Sequence, residues 1–147
     1  MHTPGLNLAM PATVTDAYLL LKHALKLSDP VVFIEHKMLY TLKGDLNKSE
    51  SISWGQAAIL RSGSDFTLVT YSRMVHRALE AAERLAELGI QAEVIDLRTL
   101  YPLDTETINS SVKKTGRALI VAEDCLTAGV SAELSSRIIL EVALVPK

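Results

Sequence analysis

Cysteine is nearly missing: Cys125 is the only one in 147 residues. One thiol closes no intramolecular disulfide and builds no cysteine zinc site, which excludes disulfide-stapled secreted scaffolds and zinc modules together. Aromatic residues are few, with two Phe, four Tyr and one Trp. An excess of either charge is also lacking. Fifteen Lys and Arg stand against 17 Asp and Glu, for a formal net charge of −2, and the basic residues are scattered, so there is no electrostatic footprint for nucleic acid. No apolar run approaches the roughly 20 residues of a membrane span. The opening MHTPGLNLAMPAT has neither the basic leader nor the apolar stretch of a signal peptide. The expectation is a cytoplasmic protein with no nucleic acid and no membrane among its partners.

What is present is a globular composition, 48% hydrophobic and 22% charged. The length allows one domain or parts of two. Residues 13–27 place Val14, Ala17, Tyr18, Leu21, Ala24 and Leu25 at helical spacing, and Thr13 with Asp16 three positions on forms an N-cap arrangement. Pro30 ends that helix, and Val31 to Ile34 follows as an apolar run expected to be a strand buried on both faces. TLKGDLNKSES, from Thr41 to Ser51, loses apolar periodicity and collects turn residues, as an interdomain linker does. Gly44-Asp45 in it echoes the start of a metal-diphosphate motif, but the rest of that motif is missing and a turn explains it.

Beyond the linker, QAAIL and FTLVTY are two strand-like runs, and the five residues from Arg61 to Asp65 between them suit a hairpin. Val75, Ala78, Leu79, Ala82, Leu85 and Ala86 then define a helix over residues 73–88 that Gly89 closes. AEVIDL is a strand, Asp104 caps a helix ending at Gly116, Leu119 to Val121 is a further buried strand, and residues 130–142 are helical. This alternation predicts a mostly parallel α/β sheet with helices on both faces, with the working edge at the carboxyl ends of its strands.

Those carboxyl-end loops carry Glu35 and His36, Ser72 to His76, Asp96 with Arg98, and Glu123, Asp124 and Cys125. Capping and solvation account for much of that polarity. Glu35 and His36 are adjacent and point to opposite strand faces, so they are a polar strand exit before they are an acid-base pair. His76, in a first helical turn, either faces an anion or a substrate as a neutral imidazole or serves as a surface or subunit contact. Asp96 and Arg98 share a strand face, as a local ion pair or as substrate contacts. Cys125 has no base placed beside it. There is neither a G-x-G-x-x-G nor a Walker pattern to cradle phosphates.

The segment order HTPGLNLAMPAT, DAYLLLKHAL, DPVVFIEHKMLY, TLVTYSRMVHRALEAAERL, AEVIDLRTLYPLDTETI, SVKKTGRALIVAEDC and GVSAEL resembles the β subunit of the thiamine-diphosphate-dependent decarboxylating component of 2-oxo acid dehydrogenase complexes. The likeness runs from about His2 to Leu140. It implies a three-layer α/β sandwich of the transketolase C-terminal type over residues 53–147, cut short at its end. Residues 1–42 would be the C-terminal remnant of a pyrimidine-binding α/β domain, and residues 43–52 the linker. It implies partners: an α subunit, a second β subunit and the dihydrolipoyl acyltransferase core. Thiamine diphosphate and magnesium belong to the parent complex, the diphosphate and its metal being held by the α subunit. The glutamate that activates the cofactor lies in family segments upstream of Met1, so this chain alone is expected neither to bind the cofactor nor to decarboxylate. His76, Arg98, Asp104 and Glu123 are then interface or loop-bracing residues.

Some family members carry a monovalent-cation site here; Ala24 and Asp29 match it, whereas Leu27 replaces the usual aspartate. Two glycines of the family's TGGVGAE turn are Ala128 and Ser131. The resemblance leaves two functional expectations: an assembly portion of the enzyme subunit, or a stand-alone, non-catalytic interaction module derived from it. The compartment is the cytoplasm, or the mitochondrial matrix for a eukaryotic parent.

Overall fold

The computed structural model describes residues 3–47 and 51–143. Strand β1 (Asn7–Ala9) leads into helix α1 (Val14–Ala24), then β2 (Val31–Phe33) and a 3-10 turn at Lys37–Leu39. The second half runs β3 (Ala58–Arg61), β4 (Phe66–Thr70), α2 (Met74–Glu87), β5 (Ala92–Asp96), β6 (Thr99–Tyr101), α3 (Thr105–Thr115), β7 (Ala118–Val121) and α4 (Val130–Ile138). A π-helical turn over Ile139–Ala143 continues α4.

The strands make two sheets. The larger has the order β3-β5-β4-β7, with β4 parallel to both β5 and β7 and β3 antiparallel to β5. This is the mixed, mostly parallel α/β sheet expected. Its middle strand β5 is fully buried along its length. One apolar cluster joins Val69, Ile95, Leu97, Leu100, Ile108 and Leu134, and a second joins Leu68 and Val94 to Ala78 and Ala82 of α2. The apolar stripe read along residues 73–88 is therefore the face that α2 lays on the sheet.

The hairpin is corrected. β3 and β4 do not pair, because β5 lies between them. The loop between them instead wraps the start of β5: the amides of Ser64 and Asp65 donate to the Gln91 carbonyl (3.0 and 2.9 Å) and the Gln91 amide donates to Asp65 Oδ2 (2.6 Å). Gly63 permits this approach, since a Cβ there would lie 2.2 Å from the Ala92 carbonyl carbon. The glycine read as a turn signal is a close-approach glycine.

Two further strands differ in burial from expectation. Val31 to Ile34 and Leu119 to Val121 are not buried on both faces: Val32 and Ile34 are about two-fifths exposed and Leu119 is 54% exposed. Both belong to edge strands, β2 of one sheet and β7 of the other. A β-branched apolar run marks a strand but not its place in the sheet.

The smaller sheet, β2-β1-β6, joins the two halves. β1 pairs parallel with β2, and β6, from far along the chain, pairs antiparallel with β1. Behind it Leu19, Leu20 and Ile52 form a third buried cluster with Phe33 and Trp54 against it. Trp54 donates its indole N–H to Asn7 Oδ1 at 3.0 Å, and the Asn47 amide donates to Thr15 Oγ1 at 3.2 Å. The connecting segment thus packs back on α1 at both of its described ends.

A polar network lies between β4, β5 and α3. The buried Glu93 carboxylate accepts from Ser111 Oγ (2.5 Å), from Lys114 Nζ and from the Gly63 amide (3.4 Å). Burial alone would raise its pKa, but these donors together hold it below the ordinary value. Replacing Gly63 with alanine is expected to cost about 1–3 kcal/mol, since backbone rather than a flexible side chain must move. Urea denaturation monitored by Trp54 fluorescence measures it.

Candidate functional site

The carboxyl ends of β4, β5 and β7 face the first segment of the chain, and the sequence-predicted residues meet it there. Thr13 caps α1 as expected. Its hydroxyl accepts the Asp16 amide (3.0 Å) and donates to Asp16 Oδ2 (2.6 Å), while its own amide donates to the same oxygen (3.2 Å). Asp16 also has a second task. Its Oδ1 forms an ion pair with Arg98 Nε at 2.8 Å, with the two side chains only 2% and 12% exposed.

Arg98 is therefore not the side-chain partner of Asp96. Its backbone amide donates to Asp96 Oδ1 (3.0 Å), while its guanidinium reaches across to α1. The left-handed backbone at Arg98, φ +58°, turns the side chain out of the alternation that placed it on the face of Asp96. Asp96 is fully buried. Burial, then the charge of Asp16, pushes its carboxyl up to about 7, against the pull of the Arg98 amide and guanidinium.

Glu123 and His36 come together from β7 and β2. His36 Nε2 lies 3.1 Å from Glu123 Oε2, and Arg73 Nη1 donates to Glu123 Oε1 at 2.9 Å. The other ring nitrogen of His36 accepts the Met38 amide (3.1 Å) and caps the 3-10 turn. Glu35 stays apart from His36, with Tyr40 Oη 3.5 Å from its Oε2. His76 Nε2 lies 2.8 Å from the Ala12 carbonyl, so α2 is fastened to the segment between β1 and α1. Asp104 does two jobs. Oδ1 accepts the Thr107 amide (3.0 Å) to cap α3, and Oδ2 accepts the Ala57 amide (2.9 Å) in front of β3.

Around α4, Asp124 Oδ2 accepts the Ser131 amide (2.9 Å). Burial and the neighbouring Asp124 carboxylate hold the Tyr71 phenol far above its ordinary value. Cys125 is exposed. Of the two replaced turn glycines, Ala128 stands in the left-handed region (φ +57°), whereas Ser131 needs no such backbone. Ser72 (φ +54°) is the third non-glycine residue there, and all three lie beyond carboxyl ends of parallel strands.

The cation donors do not fit a cage. The Ala24 carbonyl accepts the Leu27 amide (3.2 Å), Asp29 is exposed, and Leu27 supplies no oxygen. Among the described residues no three His, Cys, Asp or Glu side chains converge as a metal site. No helix there is long and apolar enough to cross a membrane. Chemically the edge is a set of braces between elements. Sequence reasoning missed the Asp16–Arg98 pair, since two residues 82 positions apart carry no local signal.

Two outcomes follow. Arg98→Ala leaves the Asp16 carboxylate buried without its counter-charge and is expected to cost about 3–5 kcal/mol, with Arg98→Lys recovering part of it. Ala128→Gly relieves the left-handed backbone and is expected to stabilise by about 1 kcal/mol. Thermal and urea unfolding report both.

Known proteins place this architecture. The chain is 46% identical over 138 residues to the acetoin:2,6-dichlorophenolindophenol oxidoreductase subunit beta of Cupriavidus necator, covering 93% of this chain and 41% of that protein. It is 46% identical to the 2-oxoisovalerate dehydrogenase subunit beta of Bacillus subtilis, covering 92% and 42% respectively. It is 44% identical to the pyruvate dehydrogenase E1 component subunit beta of the same organism, covering 95% and 45%. The chain thus spans less than half the length of these curated relatives. Among solved structures, one described as "Split gene transketolase, inactive beta4 tetramer" superposes with a TM-score of 0.84 at 25% identity, over 95% of this chain and 45% of that one. A Pichia stipitis transketolase shares the fold, with a TM-score of 0.63 at 19% identity over 86% of this chain and 19% of that one. Residues 55–145, well over half of the sequence, match the family model "Transketolase, C-terminal domain", and the chain belongs to that family.

Proposed function

We propose that this chain acts as the C-terminal portion of the β subunit of a 2-oxo acid dehydrogenase. The parent reaction is oxidative decarboxylation of a 2-oxo acid with transfer of the acyl group to a lipoyl carrier. In this reading residues 1–42 complete a pyrimidine-binding domain supplied by other segments, residues 43–52 link, and residues 53–147 are the assembly domain. Its partners are the α subunit, a second β subunit and the dihydrolipoyl acyltransferase core, in the cytoplasm or the mitochondrial matrix.

The observation that carries the reading is where the polar edge residues spend their bonds. His76, Arg98, Asp104 and Glu123 each reach another element of the chain, to Ala12, Asp16, Ala57 and His36 respectively. Side chains committed to bracing are not poised to move a proton on a substrate. The identities of about 45% to three β subunits whose names carry different substrates point the same way, to a shared scaffold rather than a shared substrate pocket.

In that assembly thiamine diphosphate supplies the chemistry of decarboxylation and magnesium anchors its diphosphate. Both are held by segments other than these residues. Isothermal titration of the isolated chain with thiamine diphosphate and magnesium is therefore expected to show no binding heat. A saturable isotherm without an α subunit would overturn the proposal.

A further inference from the structure

One guanidinium at the seam between the halves serves two buried carboxylates. Asp16 arrives on α1 and Asp96 at the end of β5, and Arg98 touches both, by its side chain and by its backbone amide. Asp96 Oδ2 is buried without a hydrogen-bond partner among the described residues. The strands that flank Asp96 place Ala58 and Thr70 beside it, and the Thr70 hydroxyl is spent on the Val121 carbonyl at 2.8 Å. From α2 the nearest titratable group, His76, is taken by the Ala12 carbonyl, and Arg73 before it is paired with Glu123. Asp16 and Arg98 are the charged groups that act on Asp96.

We propose that the Asp16–Arg98–Asp96 cluster is a proton-operated latch, which holds α1 against the larger sheet most firmly when Asp96 carries a proton. With that proton in place the cluster is a neutral pair, Arg98 against Asp16. Without it, a second negative charge sits in a site closed to water, with one oxygen unpartnered, and burying such a charge is costly. Release of α1 removes Asp16 and admits water to Asp96, which relieves the penalty. The sign follows from linkage. The carboxyl is raised in the docked state, so the docked state binds the extra proton between the ordinary carboxylate value and about 7. Docking therefore weakens as pH rises through that interval and is flat above it.

The same groups set the reach of the effect. Arg98 also passes its carbonyl to the Met10 amide (2.9 Å), at the end of β1. A loosened Arg98 thus releases α1 and the β1–β6 pairing together, while α3, fastened through Asp104 and Ser111, is untouched.

Hydrogen exchange on the whole chain tests this at about pH 5.5 and about pH 8, after correction for intrinsic exchange rates. Opening of α1 is expected to rise on the order of tenfold between the two, the equivalent of one unit of differential protonation, with α3 changing far less. Asp96→Asn keeps the oxygen that accepts the Arg98 amide and is expected to abolish the pH dependence of α1. Equal changes in α1 and α3 in the wild-type chain would overturn the latch, as would an Asp96→Asn chain that keeps the wild-type pH response. The wild-type comparison decides even where the variant does not fold.

Discussion

The structure turns on a buried guanidinium shared by carboxylates from opposite halves of the chain. Arg98 holds Asp16 by its side chain, Asp96 by its backbone amide and Met10 by its carbonyl. Remove that centre and three things lose their reference at once: the start of α1, the exit of β5 and the edge where β6 meets β1. Asp16 magnifies the dependence, because the carboxylate that pairs with Arg98 also completes the capping box of α1. A single side chain thus links the local stability of a helix to the packing of a sheet far away in sequence.

Around that centre the polar residues of the carboxyl edge divide the work of joining elements. His76 ties α2 to the segment before α1, Glu123 draws β7 towards the 3-10 turn through His36, and Asp104 couples the start of α3 to the entry of β3. Strained backbone accompanies this edge at Ser72, Arg98 and Ala128. In an enzyme loop such strain commonly aims a reacting group. At Arg98 it aims a brace.

Much of this was legible in the sequence, and the remainder was not for identifiable reasons. Helices were readable because their signals are local: Thr13 with Asp16, the apolar stripe of α2, and Asp104 with Gly116 all act within a few residues of themselves. The alternation of strands and helices gave the mixed α/β sheet. Strand order and strand burial were not readable, since Arg61 to Asp65 has the composition of a hairpin whether or not another strand lies between its arms. β1 and β6 are three residues each and carry no periodicity. At the site, the residue types were legible but their partners were not. Arg98 was assigned to Asp96 by strand alternation, and one residue at positive φ was enough to send it elsewhere.

The small sheet carries a consequence for how the chain is connected. β6 lies beyond the connecting segment in sequence but beside β1 in space, and the indole of Trp54, the hydroxyl of Thr15 and the side chain of Arg98 all cross between the same two halves. The covalent path through residues 43–52 is therefore redundant as a joint. A chain nicked within it would remain one particle, held as a non-covalent complex of its two pieces. The same interlock allows such pieces to be encoded separately and still find each other.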